Sequence, residues 1–395
     1  MSEYCNNYPV VLIHGLMGWG ENDAIKKVFD YWGTGKGSLV KHLESEGYEV
    51  HYPSLGPFAG SWDRACELWA YLFGGTVDYG KVHSEKCHHH RYGRTYEHGA
   101  LEDLGKTEAH RKMNILGHSF GGPTVKMFTE LMTNGSQEEV EGTEPETLSP
   151  LFQGGHGELI HTVTTLTGVN NGTTLADMVE PKFGPLVRGI LIGTELLQNT
   201  PIEKLFDFGN QQFGLGEYPE NIHAVGFNPL KKTKDGIDAY ANDRMDNIAY
   251  EMTVQFCHDI NEKQGVNPHI YYFAQRTDGT KMGKNGKPVQ AHMGAICAGP
   301  GLAMCKVLPK GTRGYTVDES WWPNDGYVNV IGQSAPLNQP ALDGKFGMDF
   351  QPGVWYNMET VAGDHVFWNG MSGKRKDYFA IFDKMLETYR RLPDA

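Results

Sequence analysis

The sequence predicts an α/β fold, with a mostly parallel central sheet and helices on both faces. Three observations carry that expectation. Short apolar runs alternate with segments of helical periodicity along the chain. One run, Tyr8-Pro9-Val10-Val11-Leu12-Ile13, is continuously apolar, as a strand buried on both faces must be, and stops at His14-Gly15. Another, Met113-Asn114-Ile115-Leu116, leads through Gly117-His118-Ser119-Phe120-Gly121 into Gly122-Pro123-Thr124. That is a strand, a sharp turn and a helix start.

The elements follow in order. A strand is expected at 9–13, then a helix near 38–46 with Ser38 as its N-cap. A strand near 48–52 and a helix near 62–73 come next. Residues 74–112 form an insertion before the strand that leads to Ser119. A helix covers 121–133, and 134–160 reads as a polar loop with Gly and Pro. His161-Thr162-Val163-Thr164-Thr165-Leu166 is a strand ending at Gly168, and Val354 to Val361 is strand-like. The last helix, 373–391, carries Tyr378, Phe379, Ile381, Phe382, Met385, Leu386 and Tyr389 at helical spacing. No linker composition splits the chain, so residues 1–395 read as one domain.

Composition narrows the partners. The chain has 395 residues and a formal charge of −13, which argues against nucleic acid and anionic membrane surfaces. No run of about 18 apolar residues exists, so no transmembrane segment is expected. Six cysteines in so long a chain are not a disulfide framework. Cys297 and Cys305 either close one short loop or stay free thiols.

Gly117-His118-Ser119-Phe120-Gly121 in this context is the nucleophile-elbow pattern of α/β-hydrolases. A serine attacks an ester only if its hydroxyl projects from a tight turn and meets a base, and the flanking glycines clear that turn. In such proteins one oxyanion-hole N–H comes from the loop after an early strand, the other from the residue after the nucleophile. Here those are the backbone amides of Leu16 and Phe120. The fold expects the chain order Ser, Asp, His, which Ser119, Asp325 and His365 follow. By itself Asn324-Asp325-Gly326 is a turn. Asp364 competes as the acid, although a residue adjacent to His365 is badly placed to face its ring.

Within the insertion, His83, Cys87, His88, His89 and His90 crowd into eight residues. Imidazole with carboxylate suits zinc in a closed tetrahedral site, while a solvated polar loop is the plainer reading. Spacing alone does not choose among the ligands.

The chain resembles the zinc-containing secreted lipases of thermophilic bacilli, relatives of the staphylococcal lipases. The resemblance spans essentially the whole chain. It rests on His14-Gly15 with Gly18-Trp19-Gly20, Tyr31-Trp32-Gly33, Trp62-Asp63-Arg64-Ala65-Cys66-Glu67 and Gly74-Gly75-Thr76-Val77-Asp78-Tyr79-Gly80. Arg91-Tyr92-Gly93-Arg94-Thr95-Tyr96, Asn134-Gly135-Ser136-Gln137-Glu138-Glu139, Ser149-Pro150-Leu151-Phe152, Asn324-Asp325-Gly326 and Asp364-His365 extend it.

The resemblance implies a structural zinc bound by Asp63, His83, His89 and Asp246. His89 is selected over His88 and His90 by its distance from Arg91-Tyr92-Gly93-Arg94. Asp246 is chosen over Asp243 by the pattern that follows it. Two departures stand out. Glutamine usually follows the nucleophile in the thermophile enzymes, and here Phe120 does. The calcium-binding acids that follow the histidine in the family are missing from Val366-Phe367-Trp368-Asn369-Gly370, so its calcium site is not expected. The apolar stretch 175–197 is a candidate lid inside a lid region of about 170–250. The stripe alone reads as a core helix; its place after the strand ending at Gly168 and the resemblance make it a lid.

The implied activity is that of a triacylglycerol lipase. It would hydrolyse long-chain acylglycerols and other hydrophobic esters, polyesters included, at an oil–water interface through an acyl-enzyme. A secreted, extracellular bacterial enzyme is implied, its signal peptide not present in this chain. The alternatives are a short- or medium-chain carboxylesterase without interfacial activation, a zinc hydrolase using the His cluster, and a non-enzymatic lipid-binding module. Oligomeric state is not legible.

Overall fold

The computed structural model describes residues 4–179 and 246–395. Among them, one seven-stranded sheet runs Ala341–Gly344, Trp355–Met358, Tyr271–Gln275, Ile160–Leu166, Met113–His118, Val10–Ile13 and Val50–His51 from edge to edge. Every pairing in it is parallel.

Parallel strands need crossovers, and the crossover helices cover both faces. The two-residue period of Val10–Ile13 shows the result. Val11 and Ile13 join a core with Ala65, Leu68 and Leu72 of helix Ser61–Phe73 and Val125, Phe128 and Met132 of helix Gly121–Asn134. Val10 and Leu12 join the opposite core with Leu39 and Leu43 of helix Leu39–Ser45 and the helix Arg375–Arg391. Arg375–Arg391 buries Tyr378, Phe382, Met385, Leu386 and Tyr389, one apolar stripe at helical spacing. Truncating such a fully buried ring as Phe382 to alanine costs about 3–5 kcal/mol.

Ser38 caps its helix as expected, accepting the Lys41 N–H at 3.3 Å. The expected polar loop at 134–160 is not one. It contains the helices Gln137–Gly142 and Pro150–Gln153 and a short 3-10 turn at Gly157–Leu159. The 74–112 insertion holds an antiparallel pair, Gly75–Asp78 with Tyr92–Tyr96, around the helix Lys81–Cys87. Cys297 and Cys305 are both free thiols. Of the candidate lid, only the helix Thr174–Val179 belongs to the described residues. The stretch 180–245 lies outside them. No helix among the described residues is long and apolar enough to cross a membrane.

The parallel arrangement decides where a site forms. Ser119 and the loop from His14 follow neighbouring strands at their carboxyl ends, where α/β sheets open a crevice.

Candidate active site and metal cluster

Ser119 sits at a left-handed backbone position, φ +58°. For a non-glycine residue that costs about 1–2 kcal/mol. Backbone hydrogen bonds hold it there. Ser119 N–H donates to Leu166 O at 3.0 Å, and Gly122 N–H donates to Ser119 O at 2.9 Å. The flanking glycines are needed for close approach. A Cβ on Gly117 would meet Gly121 O at 2.1 Å, and one on Gly121 would meet Ile13 O at 2.4 Å.

His365 Nε2 lies 2.8 Å from Ser119 Oγ, and His365 Nδ1 lies 2.8 Å from Asp325 Oδ2. Asp325 is fully buried. Its other oxygen accepts the Tyr327 and Val328 N–H groups at 3.0 and 2.8 Å. His365 N–H also donates to Asp325 O at 2.8 Å, so main chain and side chain hold this pair together. The carboxylate fixes the imidazole tautomer: Nδ1–H donates to Asp325, and Nε2 accepts from the serine hydroxyl. Asp364 faces elsewhere. Its oxygens accept the Gly294 N–H at 2.8 Å and the Ser372 hydroxyl.

The loop after Val10–Ile13 lies directly against the serine, since a Cβ on Gly15 would be 2.8 Å from Ser119 Cβ. Among the described residues, no backbone carbonyl takes the Leu16 or the Phe120 N–H. Several residues around the loop carry structure that the motif did not announce. The buried Arg64 guanidinium donates to His14 O, to Gly56 O at 2.9 Å and to Thr124 Oγ1 at 2.9 Å. Desolvation pulls its pKa down to about 10. His14 Nε2 accepts the Leu55 N–H at 3.2 Å, so Nδ1–H donates to Gly15 O at 2.9 Å. Thr167, at φ +46°, places its hydroxyl 3.4 Å from His365 Nδ1. Of these, only His14 stood in a segment that spacing alone could flag.

The histidine-rich insertion closes onto a second cluster. His88 takes the left-handed turn that ends helix Lys81–Cys87, at φ +60°. That turn sends His89 inward, while His88 and His90 stay exposed. His83 Nε2 stands 3.3 Å from Asp63 Oδ1. His89 Nε2 stands 3.7 Å from Asp63 Oδ2 and 3.5 Å from Asp246 Oδ2. His89 Nδ1 is 2.9 Å from His90 O and therefore carries the proton, which leaves the Nε2 lone pair facing two carboxylates. Both Asp246 oxygens are buried. Desolvation, then the charge of Asp63, raises the Asp246 pKa well above the usual carboxylate range.

Lone pairs and buried carboxylates converging in this way favour a cation at their centre. His83, Cys87, His89 and Asp246 form a group that could hold a metal ion, one donor atom from each lying within 4.8 Å of the others. Cys87 Sγ approaches the opposite ring nitrogen of His83, Nδ1, at 3.9 Å. Two donor sets thus share three residues and differ in Asp63 against Cys87.

The family described as "Lipase-like, C-terminal domain" matches residues 6–392, and the chain belongs to it. Over 381 residues it is 32% identical to lipase 2 of Staphylococcus aureus, covering 93% of this chain and 50% of that protein. The chain spans about half the length of the curated relatives it matches. Its fold superposes on Staphylococcus hyicus lipase with a TM-score of 0.83 at 26% identity, covering 99% of this chain and 97% of that one. EstA from Clostridium botulinum is 30% identical with a TM-score of 0.82, covering 99% and 89%. The architecture is the α/β-hydrolase fold.

Proposed function

We propose that this chain is a lipase that hydrolyses carboxylic esters, with long-chain acylglycerols as the main substrates. The observation that carries the reading is the hydrogen-bonded row Ser119–His365–Asp325, both links 2.8 Å, at a left-handed elbow. Ser119 Oγ attacks the ester carbonyl while His365 Nε2 takes its proton. Asp325, with its second oxygen already held by two N–H groups, orients the ring and stabilises the imidazolium. The Leu16 and Phe120 N–H groups receive the oxyanion, each worth about 3–4 kcal/mol of barrier. His365 then protonates the departing alcohol. Water, activated by the same base, releases the fatty acid.

An apolar rim favours hydrophobic esters at an oil–water interface. Leu16, Met17, Val28 and Phe29 are exposed on the segment that follows the Val10–Ile13 strand. The family and this rim support a lipase over a short-chain carboxylesterase. The chain acts as one domain, with the 74–112 insertion and a lid within about 170–250. Similarity to staphylococcal lipases supports a secreted protein.

The metal is a structural zinc held by Asp63, His83, His89 and Asp246. Donors bonded at about 2.0–2.1 Å in a tetrahedron stand about 3.4 Å apart. The contacts of 3.3–3.7 Å among these four fit that spacing. Bound there, the ion would neutralise the facing carboxylates and fasten the insertion to helix Ser61–Phe73 and to the chain at 246. With four protein ligands it leaves no position for a reacting water.

The test is hydrolysis of emulsified triglyceride with and without a serine-directed phosphonate, followed by mass mapping of the label. Labelling of Ser119 with complete loss of turnover is expected. Turnover that survives full labelling would remove the serine mechanism. A chain-length series across the solubility limit separates lipase from esterase: a rate jump above the limit is expected, and smooth saturation assigns a carboxylesterase.

A further inference from the structure

The loop that carries Leu16 is tied to His365 by a hydrogen-bond chain whose direction is fully determined. Gly15 N–H donates to Tyr31 Oη at 2.9 Å. Tyr31 Oη lies 2.6 Å from His118 Nδ1, and His118 Nε2 lies 3.0 Å from His365 O. A carbonyl oxygen only accepts, so His118 Nε2 carries the proton and Nδ1 accepts. Tyr31 must then donate to Nδ1, and its oxygen is left to accept from Gly15. All three groups are buried, and no other arrangement of protons satisfies them.

Two consecutive peptide planes of the loop are pinned, the first of them by this chain. The first, between His14 and Gly15, is held at its oxygen by Arg64 and at its N–H by Tyr31. The second, between Gly15 and Leu16, is held at its oxygen by His14 Nδ1–H and by Gly18 N–H at 3.0 Å. In a trans peptide the N–H points away from the C=O. Fixing the Gly15 oxygen therefore fixes the direction of the Leu16 N–H, and fixing the preceding plane sets where that unit starts. His118 also precedes Ser119 in the elbow. One imidazole thus touches the main chain of the base, adjoins the nucleophile and anchors the oxyanion loop through a single hydroxyl.

We propose that Tyr31 and His118 are positioning residues that hold the oxyanion loop in register with His365. The proposal rests on the ester-hydrolase reading above. The relay works only while His118 is neutral. Its ring lies tilted beside that of His365 with centroids 5.0 Å apart, and desolvation, then the His365 charge, lowers its pKa to about 3. It therefore adds no second positive charge when His365 becomes an imidazolium.

Tyr31→Phe keeps the ring and removes only the hydroxyl. His118→Asn keeps an acceptor near the Nδ1 position and loses the Nε2 donor. Each variant should lower kcat on a dissolved ester about tenfold or more, with KM within twofold. The rate of phosphonate inactivation should fall in parallel, because the phosphonate oxygen occupies the oxyanion position. The double variant should be no worse than the poorer single one, since either change breaks the same chain. A lower melting temperature with kcat and inactivation rate unchanged would assign both residues a purely structural role and overturn the relay. Multiplying effects in the double variant would overturn it as well. Absence of any Ser119 label in the unmodified protein is a different outcome: it removes the ester-hydrolase reading, and the relay with it.

Discussion

At the Ser119 end of the sheet each polar group meets its complement: hydroxyl to imidazole, imidazole to carboxylate, carboxylate to two backbone N–H groups. At the insertion the groups that meet are of another kind. Two buried carboxylates and the lone-pair side of His89 face one another at 3.5–3.7 Å. The first cluster is complete with the chain's own atoms. The second gathers buried carboxylates beside a ring lone pair, an arrangement that a bound cation would stabilise. On the proposed reading the first serves proton transfer and the second holds a cation, and each side of that comparison can be broken independently.

The largest effect belongs to the nucleophile. Ser119→Ala should lower ester hydrolysis by about 10⁴- to 10⁶-fold, because the members of such a row act as a unit. Metal content and melting temperature should stay unchanged, which is the independence the comparison requires. An alanine variant that keeps more than a few per cent of the rate would move the nucleophile elsewhere.

Next comes the acid. Asp325→Ala should cost about 10³- to 10⁴-fold in kcat. Asp364→Ala should cost less than tenfold in rate, since that carboxylate serves Gly294 and Ser372. Its effect should show as lost stability. If steady-state kinetics give the reverse order, the two carboxylates exchange roles.

Metal removal sharpens the other half. Elemental analysis should find one zinc per chain. Chelation should lower the melting temperature by about 5 °C, corresponding to about 4 kcal/mol for a metal present at a thousandfold its Kd. The initial rate well below that temperature should change little. Asp63→Asn should lose the metal while Cys87→Ser keeps it. The opposite pattern would give the ligand position to the thiol.

The smallest effect concerns acid stability away from both clusters. The buried His161 accepts a hydrogen bond from Asn6 at Nε2, at 3.3 Å. Desolvation, then the Lys112 charge, lowers its pKa to about 4. Unfolded, the ring titrates near 6.5. Between those values the unfolded chain binds more protons, so this contribution is complete above about pH 6.5 and is lost as pH falls toward about 4. His161→Gln should flatten the plot of melting temperature against pH in that window. Parallel plots for the two proteins would exclude the effect.

The elements visible in the sequence were those whose pattern is local. Val10–Ile13 and Met113–His118 are buried on both faces, so their apolar runs are unbroken and signal themselves. The helix Arg375–Arg391 shows its stripe at helical spacing. The glycines around Ser119 are required by atoms only a few residues away or on the adjoining strand. The edge strand Ala341–Gly344 is almost wholly exposed and presents no apolar pattern to read. The helix Gln137–Gly142 is hidden in the sequence for another reason. Ser136 does cap it, accepting the Glu139 N–H at 3.4 Å, but Glu139 does not close a capping box, since the Ser136 N–H goes to Phe152 O at 2.8 Å. Its carboxylate takes the Val82 and His83 N–H groups at 3.1 and 2.7 Å, holding the first turn of the helix that carries His83.

By itself, then, the sequence determined the parallel α/β architecture and the serine at its elbow, because strand burial and a tight turn impose constraints on neighbouring residues. The tertiary structure alone decided which aspartate faces His365, which of three adjacent histidines turns inward, and how Tyr31, His118 and Arg64 hold the loop. Those outcomes depend on hydrogen bonds and close contacts between residues 40 to 247 positions apart, and chain spacing carries no information about which way such side chains point.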